Sequence, residues 1–410
     1  MLGGLGSGNV RMMNFLSDVR FREQAVSQML NAICPSDVIP DVYGNYREIV
    51  QDGIFFMLTR LAPSRLSAMI TEQLSMPENA SKEERLICFA QRMPTIHKLG
   101  QMIARNRHIE PGFRKWLIRL ENGAGRTDIA HVRQVILSEL GSKITEFSID
   151  IESEILSEAS VGTVVAFRWK HPRTGDAKGV FKVLRPGIRE HLNEELGLLE
   201  QLAFFFNERR DRYPVGDFRF EEIFKDIRDA LSVEIDLCEE QAHLKDAYTI
   251  YAHNSELCVP RILPFSTRNV TAMEFAQGMK VTDADMSSTG KASCALGLFK
   301  AILWNPLFSR EEKSLFHGDP HAGNIYALEP EQGKVKTTLL DWSLAGVLSK
   351  FQRANMLRLM VGILACDTET ICEAIANLSE DIKDKAFFSK SRSHYFGYSA
   401  QQRIYQPQNY

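Results

Sequence analysis

Two aspartates and an asparagine lie close together in the last third of this chain. Asp319 and Asn324 fall within Phe316-His317-Gly318-Asp319-Pro320-His321-Ala322-Gly323-Asn324, and Asp341 ends the apolar run Thr338-Leu339-Leu340. Two acidic oxygens and an amide oxygen are the donors that Mg²⁺ accepts around a nucleotide triphosphate, so a loop and a strand end aiming them at one point would make a phosphoryl-transfer centre. Gly, Asp, Pro and Asn are also turn formers, and a plain connector is the competing reading of the same loop. The pieces Ile325-Tyr326-Ala327-Leu328 and Thr337-Thr338-Leu339-Leu340 read as a short hairpin carrying Asp341, which favours the chemical reading.

The elements that must position these groups alternate in type. From about Val10 to Asn122 apolar residues recur at threes and fours, broken at Pro35, Pro40, Pro63 and Pro77 to Ser81, which predicts a helical region. Pro94 to Arg105 reads as a helix carrying Lys98 and Gln101 on neighbouring turns; taken alone, Lys98 is a solvated lysine. After Gly123-Ala124-Gly125 the period changes. Phe147 to Ile151, Val161 to Trp169 and Gly179 to Leu184 predict an antiparallel meander, with the small residues Ala159 and Ser160 between its first two strands. Small residues there let backbone amides approach a phosphate, although they are also common in ordinary turns.

On the last of these strands Lys182 stands among apolar neighbours, either snorkelling from an edge or held beside a buried anion. Helices are predicted over Ile188 to Arg209 and Phe220 to Tyr248. The second carries Glu234, Asp236, Glu239 and Glu240, a wet face or a source of partners for the lysine. Asn269 to Ala276 reads as a strand in which Met273 would face an adenine and the backbone of Glu274, Phe275 and Ala276 would offer edge hydrogen bonds. Helices over Gly290 to Trp304 and Lys350 to Cys366 follow, with one more short helix within Asp367 to Asn377, and a polar tail from Phe387.

Composition sets outer limits. A chain of 410 residues is long enough for two or three packed units, and 44% hydrophobic with 25% charged residues is ordinary globular usage. The net charge of −3 supplies no field for nucleic acid, so any membrane contact must come from a local patch. The seven cysteines show no CxxC pair and read as buried, reduced thiols of a cytoplasmic protein. No apolar run reaches the length of a membrane span, and the opening Met1-Leu2-Gly3-Gly4-Leu5-Gly6 makes a poor secretory signal.

Taken in order, five motifs resemble the UbiB/AarF family of atypical protein-kinase-like proteins over roughly residues 90 to 350. Lys98-Leu99-Gly100-Gln101 is similar to that family's KxGQ, and Ala159-Ser160 to its alanine-containing replacement of a glycine-rich loop. Phe181-Lys182-Val183 with Arg185-Pro186-Gly187 resembles its VKVxxPG strand, Glu234-Ile235-Asp236 its ExD, and His317 to Asn324 its HxDPHxGN. The resemblance implies an α+β, bilobal kinase-like fold: a helical extension over 1–140, a β-rich small lobe over 141–275, a helical large lobe over 276–386 and a tail over 387–410. It implies ATP and Mg²⁺ as cofactors. Lys182 would bind phosphates and pair with Glu240, chosen over Glu239 by spacing. Asp319 would be the catalytic acid, and Asn324 and Asp341 the metal ligands. Lys98 and Gln101 would enter the site from the extension, Lys98 facing Glu234 and Asp236. Such proteins are ATPases or kinases of small-molecule or lipid acceptors tied to isoprenoid-quinone (ubiquinone) biosynthesis or lipid homeostasis, and some bind membranes peripherally.

The sequence departs from that pattern at Asp341-Trp342-Ser343, where DFG is usual, and in the 69 residues that follow Asp341, which fit a compact or an incomplete large lobe. Two other readings compete. Aminoglycoside and choline phosphotransferases share an HGDxHxxN loop, but Pro320 and the Lys98 and ExD set argue against them. A silent nucleotide- or lipid-binding scaffold would not need all of Lys182, Glu240, Asp319, Asn324 and Asp341.

Overall fold

The computed structural model describes residues 12–104, 108–122, 127–158, 161–173, 175–185, 187–214, 219–252, 254, 257–329 and 335–379. The chain divides into two compact units, one formed by residues up to Ala242 with Arg261–Phe275, the other by His243–Pro260 with the residues from Ala276 onward.

The first unit opens with helices α1 (Val19–Ile33), α2 (Arg47–Leu58), α3 (Pro63–Ser75), α4 (Lys82–Gln91), α5 (Pro94–Ala104), α6 (Pro111–Asn122) and α7 (Ile129–Leu140). The starts of several follow from local chemistry. Ser81 and Glu84 form a reciprocal capping box at α4, and Asp18 and Asp128 cap α1 and α7. A four-stranded sheet follows, β1 (Asp150–Glu158), β2 (Gly162–His171), β3 (Gly175–Leu184) and β5 (Val270–Glu274), in the order β1-β2-β3-β5 with every pair antiparallel. Helices α8 (Ile188–Asn207), α9 (Phe220–Glu234) and α10 (Leu237–Tyr251) lie between β3 and β5 in the chain.

Alternation along β3 decides which way its residues face. Phe181 and Val183 pack with Phe167, Val165, Ala272 and Phe265 against Val132, Ile136 and Leu140 of α7. Lys182 falls out of phase with them. Its register partners are Val164 on β2 and Thr271 on β5, so it occupies a central strand and not an edge. Gly179 permits the close approach of β2, since a Cβ there would stand 2.5 Å from the Phe167 ring.

A buried polar clamp joins three helices of this unit. Glu195 on α8 is fully buried, and its Oε2 accepts from the Thr95 backbone N–H at 2.9 Å and from the Thr95 hydroxyl at 2.5 Å, at the start of α5. Arg65 on α3 pairs with Glu195 and Glu194 and donates to the carbonyls of His191 and Arg92 at 3.1 and 2.7 Å. The acceptor for the first turn of α5 is therefore supplied by a carboxylate on another helix.

The expected single helix from Phe220 to Tyr248 is two, α9 and α10. Asp236 makes the break: its Oδ1 accepts from the N–H groups of Cys238 and Glu239 at 3.0 and 3.3 Å, starting a fresh helix. The strand expected over Phe147 to Ile151 begins later, at Asp150, because Lys143–Glu146 form a helical turn and Ser148 adopts a positive φ of 49°. All seven cysteines are free as expected, but only Cys294 is buried; Cys238, Cys258 and Cys366 are exposed.

The second unit contains β4 (Leu257–Cys258), β6 (Met279–Lys280), β7 (Lys313–Phe316), β8 (Ile325–Leu328), β9 (Lys336–Leu339) and β10 (Gly346–Ser349). These form a sheet of order β4-β9-β8-β6 and a two-stranded pair of β10 with β7. Helices α11 (Ser288–Phe299), α12 (Lys350–Ala365) and α13 (Thr368–Leu378) complete it. Among the described residues no helix is long and apolar enough to cross a membrane.

Candidate active site

In the second unit the β8–β9 hairpin brings two of the candidate ligands together. Ile325 pairs with Leu339, and the ladder continues one step beyond the strands, where the Leu340 N–H donates to the Asn324 carbonyl at 2.8 Å. Asp341 is the next residue, so the hairpin brings the backbones of Asn324 and Asp341 near each other. Asn324 also donates from Nδ2 to the Asp319 carbonyl at 3.3 Å, which leaves its Oδ1 as the acceptor for a cation. Asp319 is thus tied to the same hairpin through its backbone.

His317 completes the frame. The Asp319 N–H donates to its Nδ1 at 3.2 Å, so Nδ1 is unprotonated and Nε2 carries the proton, donating to the Leu340 carbonyl at 2.9 Å. The ring is 4% exposed and stands edge-on to Trp342, with centroids 4.7 Å apart. Burial pulls the imidazole pKa below its ordinary value, so it is a neutral buttress between the loop and the residue before Asp341. Sequence reasoning gave His317 no role of its own within the loop motif; its sign was an apolar strand directly before it. Gly318 allows the loop to close on the segment after Asp341, since a Cβ there would meet the Leu344 carbonyl at 2.0 Å.

A stability effect follows from the neutral His317. Its folded pKa lies below an unfolded value near 6.5, so its contribution is complete above that value and is lost as pH falls through the folded pKa. His191 is shifted the same way, so the diagnostic is a difference. Between about pH 7.5 and about pH 5.5, Tm should fall more steeply in the wild type than in His317→Gln. Parallel slopes would remove His317 from the account.

Around Asp341 the backbone is unusual. Its φ is +55°, a left-handed conformation that few residues other than glycine adopt and that recurs at functional sites. Trp342, 1% exposed, takes the place where the family pattern has Phe; its Nε1 donates to the Leu339 carbonyl at 3.3 Å, and its carbonyl lies 3.2 Å from His243 Nδ1. His321, whose Nδ1 accepts from the Gly323 N–H, places Nε2 3.8 Å from Asp319 Oδ2.

In the first unit Lys182 is held by Glu240, with Nζ 2.7 and 2.8 Å from the two carboxylate oxygens. The two side chains are 13% and 4% exposed, so of the two fates open to a strand lysine the one beside a buried anion is realised. Glu239, one residue earlier, faces solvent. Glu240 comes from α10, whose first turn is organised by Asp236 as described above. Glu234 ends α9, and Lys98 and Gln101 lie along α5, but the side chains of all three are outside the described residues, as are Ala159 and Ser160 altogether. On β5, Met273 is half-buried, Glu274 pairs with Arg261 at 3.0 Å, and Lys178 Nζ lies 4.4 Å over the Phe275 ring. The N–H groups of Glu274 and Phe275 already donate to the carbonyls of Arg261 and Lys178.

A family model, the ABC1 atypical kinase-like domain, matches residues 119–375. The chain belongs to this family. Curated relatives agree: it is 28% identical over 265 residues to a "Probable protein kinase UbiB" of Haemophilus ducreyi, covering 63% of this chain and 47% of that one. It is 27% identical over 291 residues to an "AarF domain-containing protein kinase 1" of Gallus gallus, covering 70% and 54%. The chain thus spans about half the length of these curated relatives. Among solved structures it is similar to an Rv3197–erythromycin complex from Mycobacterium tuberculosis, with 15% identity, a TM-score of 0.47, and coverage of 77% of this chain and 80% of that one. The family resemblance expected from the motifs and the kinase-like α+β fold it implied are both met.

The oxygen donors suit a hard, nucleotide-bound cation. Among the described residues no three His, Cys, Asp or Glu side chains cluster as a metal cage. Mg²⁺ needs none, because it is commonly held by one or two carboxylates with water and substrate phosphates. Asn324 and Asp341 are the residues that would hold it.

Proposed function

We propose that this protein binds Mg-ATP and passes the terminal phosphoryl group to water or to a small-molecule or lipid acceptor, as an atypical kinase or ATPase. The observation that carries the reading is the 2.8 Å backbone bond between Leu340 and Asn324, which brings the backbone of Asn324 beside the residue that precedes Asp341 at the end of a hairpin. In this reading Lys182, oriented by Glu240, contacts the α- and β-phosphates, and Ala159 and Ser160 cover them. Met273 faces the adenine, whose edge would meet acceptor carbonyls near Glu274 and Phe275, since those two N–H groups are already donated. Asp319 orients the attacking hydroxyl or water. A magnesium ion at Asn324 and Asp341 would neutralise phosphate charge.

Lys98 and Gln101, with Glu234 and Asp236, would restrict which acceptor enters. From the motif resemblance to the UbiB/AarF family we also propose a role in isoprenoid-quinone (ubiquinone) biosynthesis or lipid homeostasis, with an isoprenoid or lipid ligand and peripheral membrane contact from the cytoplasm. The test is nucleotide affinity with and without Mg²⁺. Wild type should bind ATP more tightly with the metal, and Asp341→Asn should abolish that gain, by on the order of tenfold or more. An unchanged Mg²⁺ dependence in the variant would end this assignment of Asp341.

A further inference from the structure

Asp341 is bound from both sides along the chain. Before it, Leu340 has its N–H donated to Asn324 and its carbonyl accepting from His317. After it, Ser343 donates twice to one carboxylate oxygen of Asp341, from Oγ at 2.7 Å and from its backbone N–H at 3.3 Å. A glycine at this position, as in the usual pattern, would keep the N–H bond and lose the hydroxyl. The hydroxyl bond is the shorter of the two and is charge-assisted, and two donors converging on Oδ1 fix the rotation of the carboxylate about its own axis.

We propose that Ser343 is a positioning residue: its hydroxyl holds the Asp341 carboxylate in the orientation in which it meets a divalent cation, replacing by a side-chain bond the backbone freedom that glycine would have given. This rests on the assignment of Asp341 as a metal ligand. Two effects of opposite sign compete at such a bond. Donation to Oδ1 draws electron density from the carboxylate and occupies one of its lone pairs, which weakens metal binding, whereas orientation removes the entropic cost of arranging the ligand. Outer bonds to ligating side chains usually act in the second way. The left-handed backbone of Asp341 adds to the need, because a strained conformation persists only where its surroundings hold it. Ser343 is only half-buried, so its hydroxyl can be removed without opening a core cavity.

The experiment is a Mn²⁺ titration of the nucleotide-loaded full chain, read by electron paramagnetic resonance, beside nucleotide affinity measured in EDTA. Ser343→Ala should bind Mn²⁺ more weakly by on the order of tenfold, with its metal-free nucleotide affinity unchanged. Ser343→Thr, which keeps a hydroxyl, should restore the metal affinity, a rescue that a merely structural role would not give. Ser343→Gly should match Ser343→Ala if the hydroxyl and not the Cβ is responsible. Mn²⁺ affinity in Ser343→Ala equal to or tighter than wild type, while Asp341→Asn is weakened, overturns the inference and leaves the metal site standing. An unchanged affinity in Asp341→Asn removes the metal assignment and this inference with it.

Discussion

Asp319→Asn is expected to reduce ATP turnover by about 10²- to 10⁴-fold while leaving Mg-ATP affinity close to that of the wild type. The substitution is almost isosteric, and the backbone of Asp319 is held independently of its side chain. Its N–H is held by His317 Nδ1 and its carbonyl by Asn324 Nδ2. The loop therefore keeps its path, and what changes is the ability to accept a proton or orient an attacking oxygen. A loss of that size corresponds to about 3–5 kcal/mol of transition-state stabilisation, since each 1.36 kcal/mol is tenfold. Single-turnover hydrolysis and equilibrium binding on the same preparation separate the two quantities. Adding anionic vesicles in parallel tests whether a lipid surface changes the rate. Turnover that is equal in wild type and variant would favour a nucleotide-binding scaffold over an enzyme.

How much of this could be read from the chain depended on whether the physical cause was local. The β8–β9 hairpin was legible because apolar strand residues flank it closely, and the meander was legible because its strands alternate and are joined by short turns. The break between α9 and α10 was not. Asp236 was read as one acid on a long helical face, whereas its carboxylate takes the N–H groups of Cys238 and Glu239 and starts a new helix. A short polar residue before an apolar periodic run was the available sign. The two fates of Lys182 could not be separated in sequence, because the partner that decides between them, Glu240, lies 58 residues away. Ser343 stood in the sequence only as a departure from the usual DFG; the bond from its hydroxyl to Asp341 depends on a backbone turn that residue types alone do not specify. The Arg65, Thr95 and Glu195 clamp was invisible for the same reason, since each residue is ordinary on its own helix.

That clamp carries the largest expected stability effect in the first unit. Glu195→Ala should destabilise the unit by about 3–5 kcal/mol, the usual result of removing one partner of a buried ion pair. The intact pair is itself expensive: burial pushes the Glu195 carboxyl above the ordinary carboxylate range, against the opposing pull of Arg65 and the Thr95 donors. Deleting the carboxylate takes the buried partner from the guanidinium of Arg65, 7% exposed, leaving it Glu194 and the carbonyls of His191 and Arg92 beside a vacated space, and removes the acceptor for the N–H of Thr95, 1% exposed. Glu195→Gln should cost less, because its amide oxygen still serves Thr95. Because the chain forms two compact units, a single global transition is a poor reporter, and hydrogen exchange is the better one. The amides of α5 should lose protection first and most in Glu195→Ala, while those of β8 and β9 stay protected. If α5 exchanges as slowly in Glu195→Ala as in wild type, the clamp does not hold the helix that carries Lys98 and Gln101, and the position of that helix must come from its apolar packing alone.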